Sequence, residues 1–470
     1  MARVLSQIEH IVVVMLENRS FDNMCGWLYR DAPPPSHFLP ASTSSRPFQG
    51  LQTGFYNPVN EDYFTTGTGD TYPIFERASD TTVPNPDPEE GFDDVNYQLF
   101  GPEGPTQTPR WPNLGFVIDY AKTTGSNIPV QIMQPFSPDQ VPVLSSLARN
   151  FAICDEWFCS VPSETWPNRS FFHSGTSNGH VVNGEHPNPL LWNVPTIFNV
   201  LQDVGTSWRV YSAAKLIPAL TLLMSPQLLP FSLSHFSHFD DFVQDCANGS
   251  LPRYSFLEPS FVEDPNDEHP PHDVVAGEQF LWQIWQAVSR SPAWPKTLLL
   301  ITYDEHGGTH DHFMPPWGAE TPDGNSDPGE EGFKFDRFGV RVPMIAVSPW
   351  IEAGTVFRSD LPSGIPYDHT SVLATLRDWL EIPSEKMLTS KRVAAAPNLS
   401  QILTLNKARS ALPEIASPPS EIKQTSMSLP PNKLQKSLVS AEAVRRGHDP
   451  AAVVAGTKTR AQARSFLMSP

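Results

Sequence analysis

The stretch Leu298-Leu299-Leu300-Ile301-Thr302-Tyr303-Asp304-Glu305-His306-Gly307-Gly308-Thr309-His310-Asp311-His312 decides the fold. Its first six residues are apolar or nearly so. They lie between Pro295 and Gly307, and they read as a buried strand. Apolar residues on both faces are the pattern of a parallel strand covered on both sides. The run stops at two carboxylates, Asp304 and Glu305. They fall at the carboxyl end of the strand, where open α/β sheets place their ligands. Gly307 and Gly308 permit a sharp turn and a close backbone approach. Alone, this is equally well an acidic turn after a strand.

The start of the chain repeats the pattern. Ile8–Leu16 is a second buried-strand run, and it ends in Glu17-Asn18-Arg19-Ser20-Phe21-Asp22. If the two strands are neighbours in one parallel sheet, Glu17, Asn18, Asp304 and Glu305 converge. Four oxygen donors at one point suit a hard divalent cation.

Between these runs, strands and helices alternate. A helix is predicted over Gln140–Arg149, a strand over Phe151–Phe158, strands at Trp208–Ser212 and Arg253–Glu258, and a helix over Phe239–Ala247. Leu281, Ile284, Trp285 and Val288 give Val274–Ser289 one apolar helical face, with Asp273 as its N-cap. Arg341–Val347 reads as a strand, and Val372–Leu380 as a helix opened by Asp368-His369-Thr370-Ser371. The expected class is α/β, with a mostly parallel central sheet, helices on both faces and long Pro-rich insertions. Residues 30–110 read as ordered loops capping the site, with a short helix at Asp93–Leu99. The acidic run Asp87-Pro88-Glu89-Glu90-Gly91-Phe92-Asp93-Asp94 reads by default as a solvated turn. His10, inside the first strand, reads as a packed core histidine.

Composition narrows the function. Lys and Arg number 32 against 51 Asp and Glu, a formal charge of −19, which disfavours a nucleic-acid partner. Fifty prolines are roughly twice ordinary usage and imply long loops. Cys25, Cys154, Cys159 and Cys246 lack metal-type spacing, and Cys154 and Cys159 read as buried thiols. No apolar run reaches the length of a transmembrane helix. No signal peptide is recognisable, which makes the chain cytoplasmic as written, with secretion by another route left open. From about residue 410 the prolines Pro413, Pro418, Pro419, Pro430 and Pro431 mark a linker. A basic tail follows, either mobile or docked as a short helix, with transient contact to a membrane surface as one use for it. The division expected is residues 1–410 as the catalytic body and 411–470 as linker and tail.

Four blocks then fall into one order. They are Glu17-Asn18-Arg19-Ser20-Phe21-Asp22, Thr165-Trp166-Pro167-Asn168-Arg169, Asp304-Glu305-His306-Gly307-Gly308 with Asp311-His312, and Gly339-Val340-Arg341-Val342-Pro343. Together they resemble the phosphoesterase family of bacterial phospholipases C, plant non-specific phospholipases C and an acid-phosphatase branch. The resemblance runs over roughly residues 8–380. It implies an alkaline phosphatase-like fold and one divalent metal, Ca, Mn, Mg or Zn, held by Glu17, Asn18, Asp304 and Glu305. It also implies Thr165 as nucleophile and further metal contact, with His269 and His312 binding phosphate or protonating the leaving group. Asn168 and Arg169 would orient the loop or bind phosphate. Family members often carry a histidine where this chain has Glu90, so Glu90 becomes the substrate contact at that place. His312 is followed by Phe313 instead of the usual valine. Asp22 and Ser20 are expected to support the ligands, Arg341 to be structural, and His173, His180 and His306 to be weaker candidates.

The reaction expected is hydrolysis of phosphate esters through a phospho-threonine, most concretely phospholipase C-like cleavage of phospholipid diesters. An acid phosphatase-like monoesterase and a non-catalytic binder of phosphate or lipid headgroups stay open beside it.

Overall fold

The computed structural model describes residues 4–183, 192–359 and 364–469. Met1–Arg3 of the N-terminal stretch lie outside them.

Nine strands form one sheet. In chain order they are β1 (His10–Leu16), β2 (His37–Leu39), β3 (Ala152–Cys154), β4 (Trp208–Ser212), β5 (Phe236–His238), β6 (Tyr254–Glu258), β7 (Thr297–Tyr303), β8 (Met344–Val347) and β9 (Thr355–Phe357). Across the sheet they run β2-β9-β3-β8-β7-β1-β6-β4-β5. The α/β class and the mostly parallel sheet are as the sequence predicts. β8 runs against both of its neighbours, β7 and β3.

The decisive pairing lies at the centre. β1 and β7 are parallel neighbours, with Leu16 opposite Tyr303. Glu17 and Asp304 therefore leave the sheet side by side. Every residue of β7 is buried, and so are Ile11–Leu16 of β1. His10 corrects its reading: it stands half-buried at the strand's first position, with Nδ1 3.0 Å from the Pro252 carbonyl.

Helices cover both faces. Those used below are α1 (Phe92–Phe100), α2 (Pro142–Asn150), α3 (Thr165–Ser174), α4 (Val274–Ser289) and α5 (Thr370–Trp379). Asp273 caps α4 by accepting from the Val275 amide at 3.0 Å. The strand predicted over Phe151–Phe158 is broken: β3 ends at Cys154, and Trp157–Phe158 pairs separately with Tyr367–Asp368. The Asp155 carboxylate is the reason, because it turns out of the strand to bind the buried guanidinium of Arg358, Nη2 to Oδ2 at 2.7 Å. All four cysteines are buried free thiols.

The structure gives detail to two regions: the cap, ordered as expected, and the C-terminal stretch, where the docked alternative holds. The cap is ordered around an apolar cluster of its own, including Trp27, Val95, Leu99, Phe116 and Val117. The C-terminal stretch is an ordered helical unit: α6 (Lys433–Arg445), α7 (Pro450–Gly456) and α8 (Arg460–Met468). Leu434, Leu438, Ala463 and Leu467 of that unit are buried with Trp166, Leu220 and Leu223 of the body. A stretch read as basic by charge count hides an apolar face, and that face fixes it in place. Among the described residues, no helix is long and apolar enough to cross a membrane.

Candidate active site

Glu17 and Asn18 follow β1, and Asp304 and Glu305 follow β7. All four are fully buried. Asn18 has φ +54, in the left-handed region that asparagine tolerates better than most residues. Its backbone N–H donates to Asp304 Oδ1 at 3.0 Å, and the Glu305 N–H donates to the same oxygen at 2.8 Å. Gly307 N–H donates to Glu305 Oε2 at 2.6 Å. Gly307, at φ +59, lies so close to the other loop that a Cβ would stand 2.2 Å from the Asn18 carbonyl. Only glycine lets the two strand-end loops meet. His369, from the turn before α5, places Nε2 2.6 Å from the Asp304 carbonyl and holds that backbone from behind.

These donors are not saturated. Asn18 Oδ1 and Nδ2, Asp304 Oδ2 and Glu305 Oε1 are buried without a hydrogen-bond partner among the described residues. Buried polar atoms ordinarily find partners. Burial, with Asp304 beside it, pushes Glu305 well above the usual carboxylate range. Glu17 is raised in the same way by burial and by Asp304, against the pull of Arg169. Unpaired carboxylate oxygens crowded in a dry site are what a divalent cation offsets, so the residues present fit a metal of the hard, oxygen-preferring class.

Thr165 is the first residue of α3, where the free N–H groups of a helix favour an anion. Its Oγ1 lies 3.4 Å from Glu17 Oε2. One turn later Arg169 binds Glu17 Oε1 through Nη2 and lies 3.7 Å from Asp304 Oδ2 through Nε. Among the described residues Arg169 Nη1 has no hydrogen-bond acceptor, and Nε has only the longer ion-pair contact with Asp304, so the guanidinium has donors to offer a phosphate oxygen. Of the two uses expected for Asn168, its bonds favour orienting the loop. Its amide accepts from Val161 N–H at 2.9 Å and donates to the Val161, Ser163 and Glu164 carbonyls. With every bond satisfied inside the turn before Thr165, Asn168 shapes the nucleophile loop.

His269 is completely buried, with Nδ1 2.7 Å from the Pro270 carbonyl and Nε2 unpartnered. Burial drives its pKa down to about 3, so it is a neutral imidazole at ordinary pH. That corrects one expectation: the Pro270 carbonyl can only accept, so the single proton sits on Nδ1, Nε2 is left as an acceptor, and His269 holds no imidazolium proton to give away. Glu90 corrects another, because the segment read as a solvated turn carries it into the interior, 2% exposed. Burial, together with Asp87, Glu305 and Glu164, pushes its carboxyl well up, against the pull of Lys433.

His312 stands in a neighbouring cluster. Its Nδ1 and its backbone N–H both meet Asp22 Oδ2 at 2.7 Å, and its ring stacks on Phe55 at 4.5 Å. Asp22, Asp311 and His312 bring ligand atoms within 4.8 Å of one another, which is a spacing a metal could bridge. Arg341 already fills that role: Nη2 is 3.0 Å from Asp22 Oδ1 and 2.9 Å from Asp311 Oδ1. Burial raises Asp22, but His312 and Arg341 more than offset this and leave it below the usual range. The cluster orients His312 and keeps a carboxylate against its ring.

Of the weaker candidates, His306 braces the cap, with Nε2 2.8 Å from Gln98 Oε1. His173 is packed against Phe198 and Phe256. His180 pairs with Glu330. Four residues near the site escaped sequence reasoning: Glu164, Asp87, Asn432 and Lys433. Asp87 Oδ1 is 3.5 Å from His269 Nδ1. Lys433 Nζ binds Glu89 and lies 3.3 Å from Glu164 Oε1. Asn432 Nδ2 is 3.4 Å from His269 Nδ1. For the last two the available signal was the Asn432…Gln435 capping pair, which marks a helix start inside the supposed tail.

Non-specific phospholipase C6 of Arabidopsis thaliana is 34% identical to this chain over 422 residues, 87% of this chain and 76% of that protein. Non-specific phospholipase C4 of the same plant is 34% identical over 434 residues, 89% and 76% of the two chains. Phospholipase C B of Mycobacterium tuberculosis (strain ATCC 25618 / H37Rv) is 29% identical over 469 residues, 87% and 82%. Among solved structures, a protein in the alkaline phosphatase superfamily from Vibrio parahaemolyticus aligns over 70% of this chain and 83% of that one, with 10% identity and a TM-score of 0.33. Residues 8–383 match the model of the phosphoesterase family. The chain therefore belongs to the phosphoesterase family.

Proposed function

We propose that this chain is a metal-dependent hydrolase of phosphodiesters that cleaves phospholipids in the manner of a phospholipase C. One observation carries the reading: the unpartnered oxygens of Asn18, Asp304 and Glu305 are gathered at two adjacent strand ends, beside the hydroxyl of Thr165. Relatives named phospholipase C over most of the chain support the same choice.

Glu17, Asn18, Asp304 and Glu305 would hold one divalent ion, with Thr165 beside it. All-oxygen donors favour Ca, Mn or Mg, and Zn also accepts carboxylates. When bound, the ion lowers the pKa of a hydroxyl and stabilises charge on phosphoryl oxygens. The remaining work falls to the chain. Arg169 Nε and Nη1 and the first turn of α3 hold the phosphate. Thr165 Oγ1 bonds to phosphorus in line with the ester oxygen that leaves, and Glu17 Oε2 lies within reach of the hydroxyl proton. His312, kept against Asp22, gives a proton to the departing diacylglycerol oxygen. Water then splits the phospho-threonine and releases the phosphorylated headgroup. His269 Nε2, an acceptor while Nδ1–H is given to the Pro270 carbonyl, is left to accept from a water or a hydroxyl of the substrate. Access to lipid is supported by Leu216, Leu229 and Leu233, which are 59%, 44% and 100% exposed within one short segment.

The test is hydrolysis of p-nitrophenyl phosphorylcholine and p-nitrophenyl phosphate by wild type and Thr165→Ala, each with metal removed and restored. Diester cleavage that needs both metal and Thr165 is the expected result. Cleavage of the monoester alone replaces the reading with a phosphatase. Phosphate binding without turnover replaces it with a binding protein.

A further inference from the structure

His312 reaches the open side of its cluster. Its side chain is 12% exposed, against 1% or less for Asp22, Asp311 and Arg341. Asp22 Oδ2 meets its Nδ1 at 2.7 Å, and Arg341 Nη2 lies 3.5 Å from the same nitrogen. The carboxylate accepts, so Nδ1 carries a proton and Nε2 is the ring atom left for substrate. One bond at one edge does not set the plane of the ring. The last torsion of a histidine is broad and soft, and a tilt about the Asp22 bond swings Nε2 away from its target.

Phe55 supplies what the bond to Asp22 lacks. Its ring stacks on the imidazole, with centroids 4.5 Å apart and planes 25° from parallel. Phe313 meets the same imidazole only edge-on, at 6.3 Å and 76°. Phe55 is itself well held. Its carbonyl accepts from the Ile74 N–H at 2.8 Å, and the residues that follow, Tyr56–Pro58, pair antiparallel with Thr71–Pro73. Its ring packs against the apolar cluster of the cap that contains Trp27, Val95 and Leu99. The loops of the central sheet thus bring the imidazole and its charged partners, while the cap brings the flat face that covers one side of it.

We propose that Phe55 is a positioning residue for the general acid: its ring holds the His312 imidazole in the plane that aims Nε2 at the departing ester oxygen. In that step the phosphorus–oxygen bond breaks, the oxygen takes the Nε2 proton, and the imidazole is left neutral with its remaining proton on Nδ1. Phe55 touches no reacting atom and carries no proton. This rests on His312 acting as the acid in the function proposed above.

The experiment uses the full chain with saturating metal and two esters of nearly the same shape, p-nitrophenyl phosphorylcholine and p-nitrobenzyl phosphorylcholine. Nitrophenolate leaves readily without a proton, whereas a benzylic alkoxide needs one. The ratio of kcat for the benzyl ester to kcat for the phenyl ester therefore reads the acid step. Phe55→Ala is expected to lower that ratio about 10- to 100-fold, with KM for each ester within about threefold, the loss that a small misplacement of a catalytic group brings. Phe55→Tyr keeps the flat face and should restore the ratio to within a few-fold. Phe55→Leu keeps apolar bulk without the flat face and should not. His312→Asn marks the full loss of the acid, and Phe55→Ala/His312→Asn should be no worse than His312→Asn alone. An unchanged ratio in Phe55→Ala, equal losses on both esters, or losses that multiply in the double variant overturn the proposal. If Phe55→Ala does not fold, Phe55→Leu must show the lowered ratio, and a wild-type ratio in it overturns the proposal. An active wild type whose ratio survives His312→Asn removes the acid assignment and the proposal with it. A wild type inert toward both esters is instead the failure of the hydrolase reading itself, and it takes the proposal down on that separate ground.

Discussion

Two buried acidic clusters sit one loop apart, and they are opposites in how their oxygens are used. In the Asp22–Asp311–His312 cluster every carboxylate oxygen has a partner. Arg341 bridges the two acids, the Asp22 N–H donates to Asp311 Oδ2 at 3.1 Å, and the Phe313 N–H donates to Asp311 Oδ1 at 2.8 Å. In the Glu17–Asn18–Asp304–Glu305 cluster, three donor oxygens point into the site with nothing to accept from. Acidity and proximity are common to both. Saturation is what separates a structural ion network from a site waiting for a ligand: Arg341 and backbone N–H groups satisfy every carboxylate oxygen of Asp22 and Asp311, whereas Arg169 binds Glu17 and leaves Asn18 Oδ1 and Glu305 Oε1 without a hydrogen-bond partner among the described residues.

The sharpest way to break this comparison is to titrate a divalent ion calorimetrically. Asp304→Asn should abolish binding, and Asp311→Asn should retain it; the reverse pattern would exchange the roles of the two clusters. At the edge of the Glu17–Asn18–Asp304–Glu305 cluster, Thr165→Ala should cut turnover by roughly ten-thousand-fold, as loss of a covalent nucleophile does, with metal affinity retained. Arg341→Met should cost about 3–5 kcal/mol in urea unfolding, because it strands two buried carboxylates. If added divalent ion restored that stability, the Arg341 cluster would have to be counted as a second metal cage. His312→Asn should reduce turnover by on the order of a hundredfold, the range for a lost general acid, and should leave metal binding untouched. A loss of metal instead would join the two clusters into one site.

The smallest effect expected is on pH stability. Burial keeps His173 and His269 down at about 3 and His310 at about 4. Unfolded, these imidazoles take up protons near pH 6.5, while the folded chain refuses them. Their neutral form is therefore fully compatible with folding above about pH 6.5. Stability should fall as the pH drops from there towards 4. A thermal midpoint that stayed flat over that window would contradict their burial.

Most of the first cluster was legible because each of its halves is local. An apolar run that ends in Glu17-Asn18, and another that ends in Asp304-Glu305, announce both a parallel strand and what stands at its end. That the two runs are adjacent was an inference, and the Leu16–Tyr303 register bears it out. Glu90 was misread as part of a solvated turn because a lone acid in a Pro-rich loop has no local reason to be buried. What faces it inside comes from far along the chain, including the charge of Lys433, 343 positions on. Asn168 looked like a phosphate contact because its amide suits one; the three carbonyls and one amide that claim it are set by the tertiary shape of the 161–164 turn. The tail was left open between a mobile arm and a docked helix because its charges outweighed its apolar face, and what that face meets, Trp166, is far away in sequence.

The docking of α6 also has a consequence in time. A polypeptide emerging from the ribosome carries both strand-end loops and Thr165 once residue 305 has been made. The Lys433 contact with Glu164 and the Leu438 face come more than a hundred residues later. Domains tend to fold as they emerge, so the catalytic body can assemble while its nucleophile turn is still propped from one side. The Thr165 turn thus reaches its final packing only after residues 433–467 have been made, a delay written into the order of its parts.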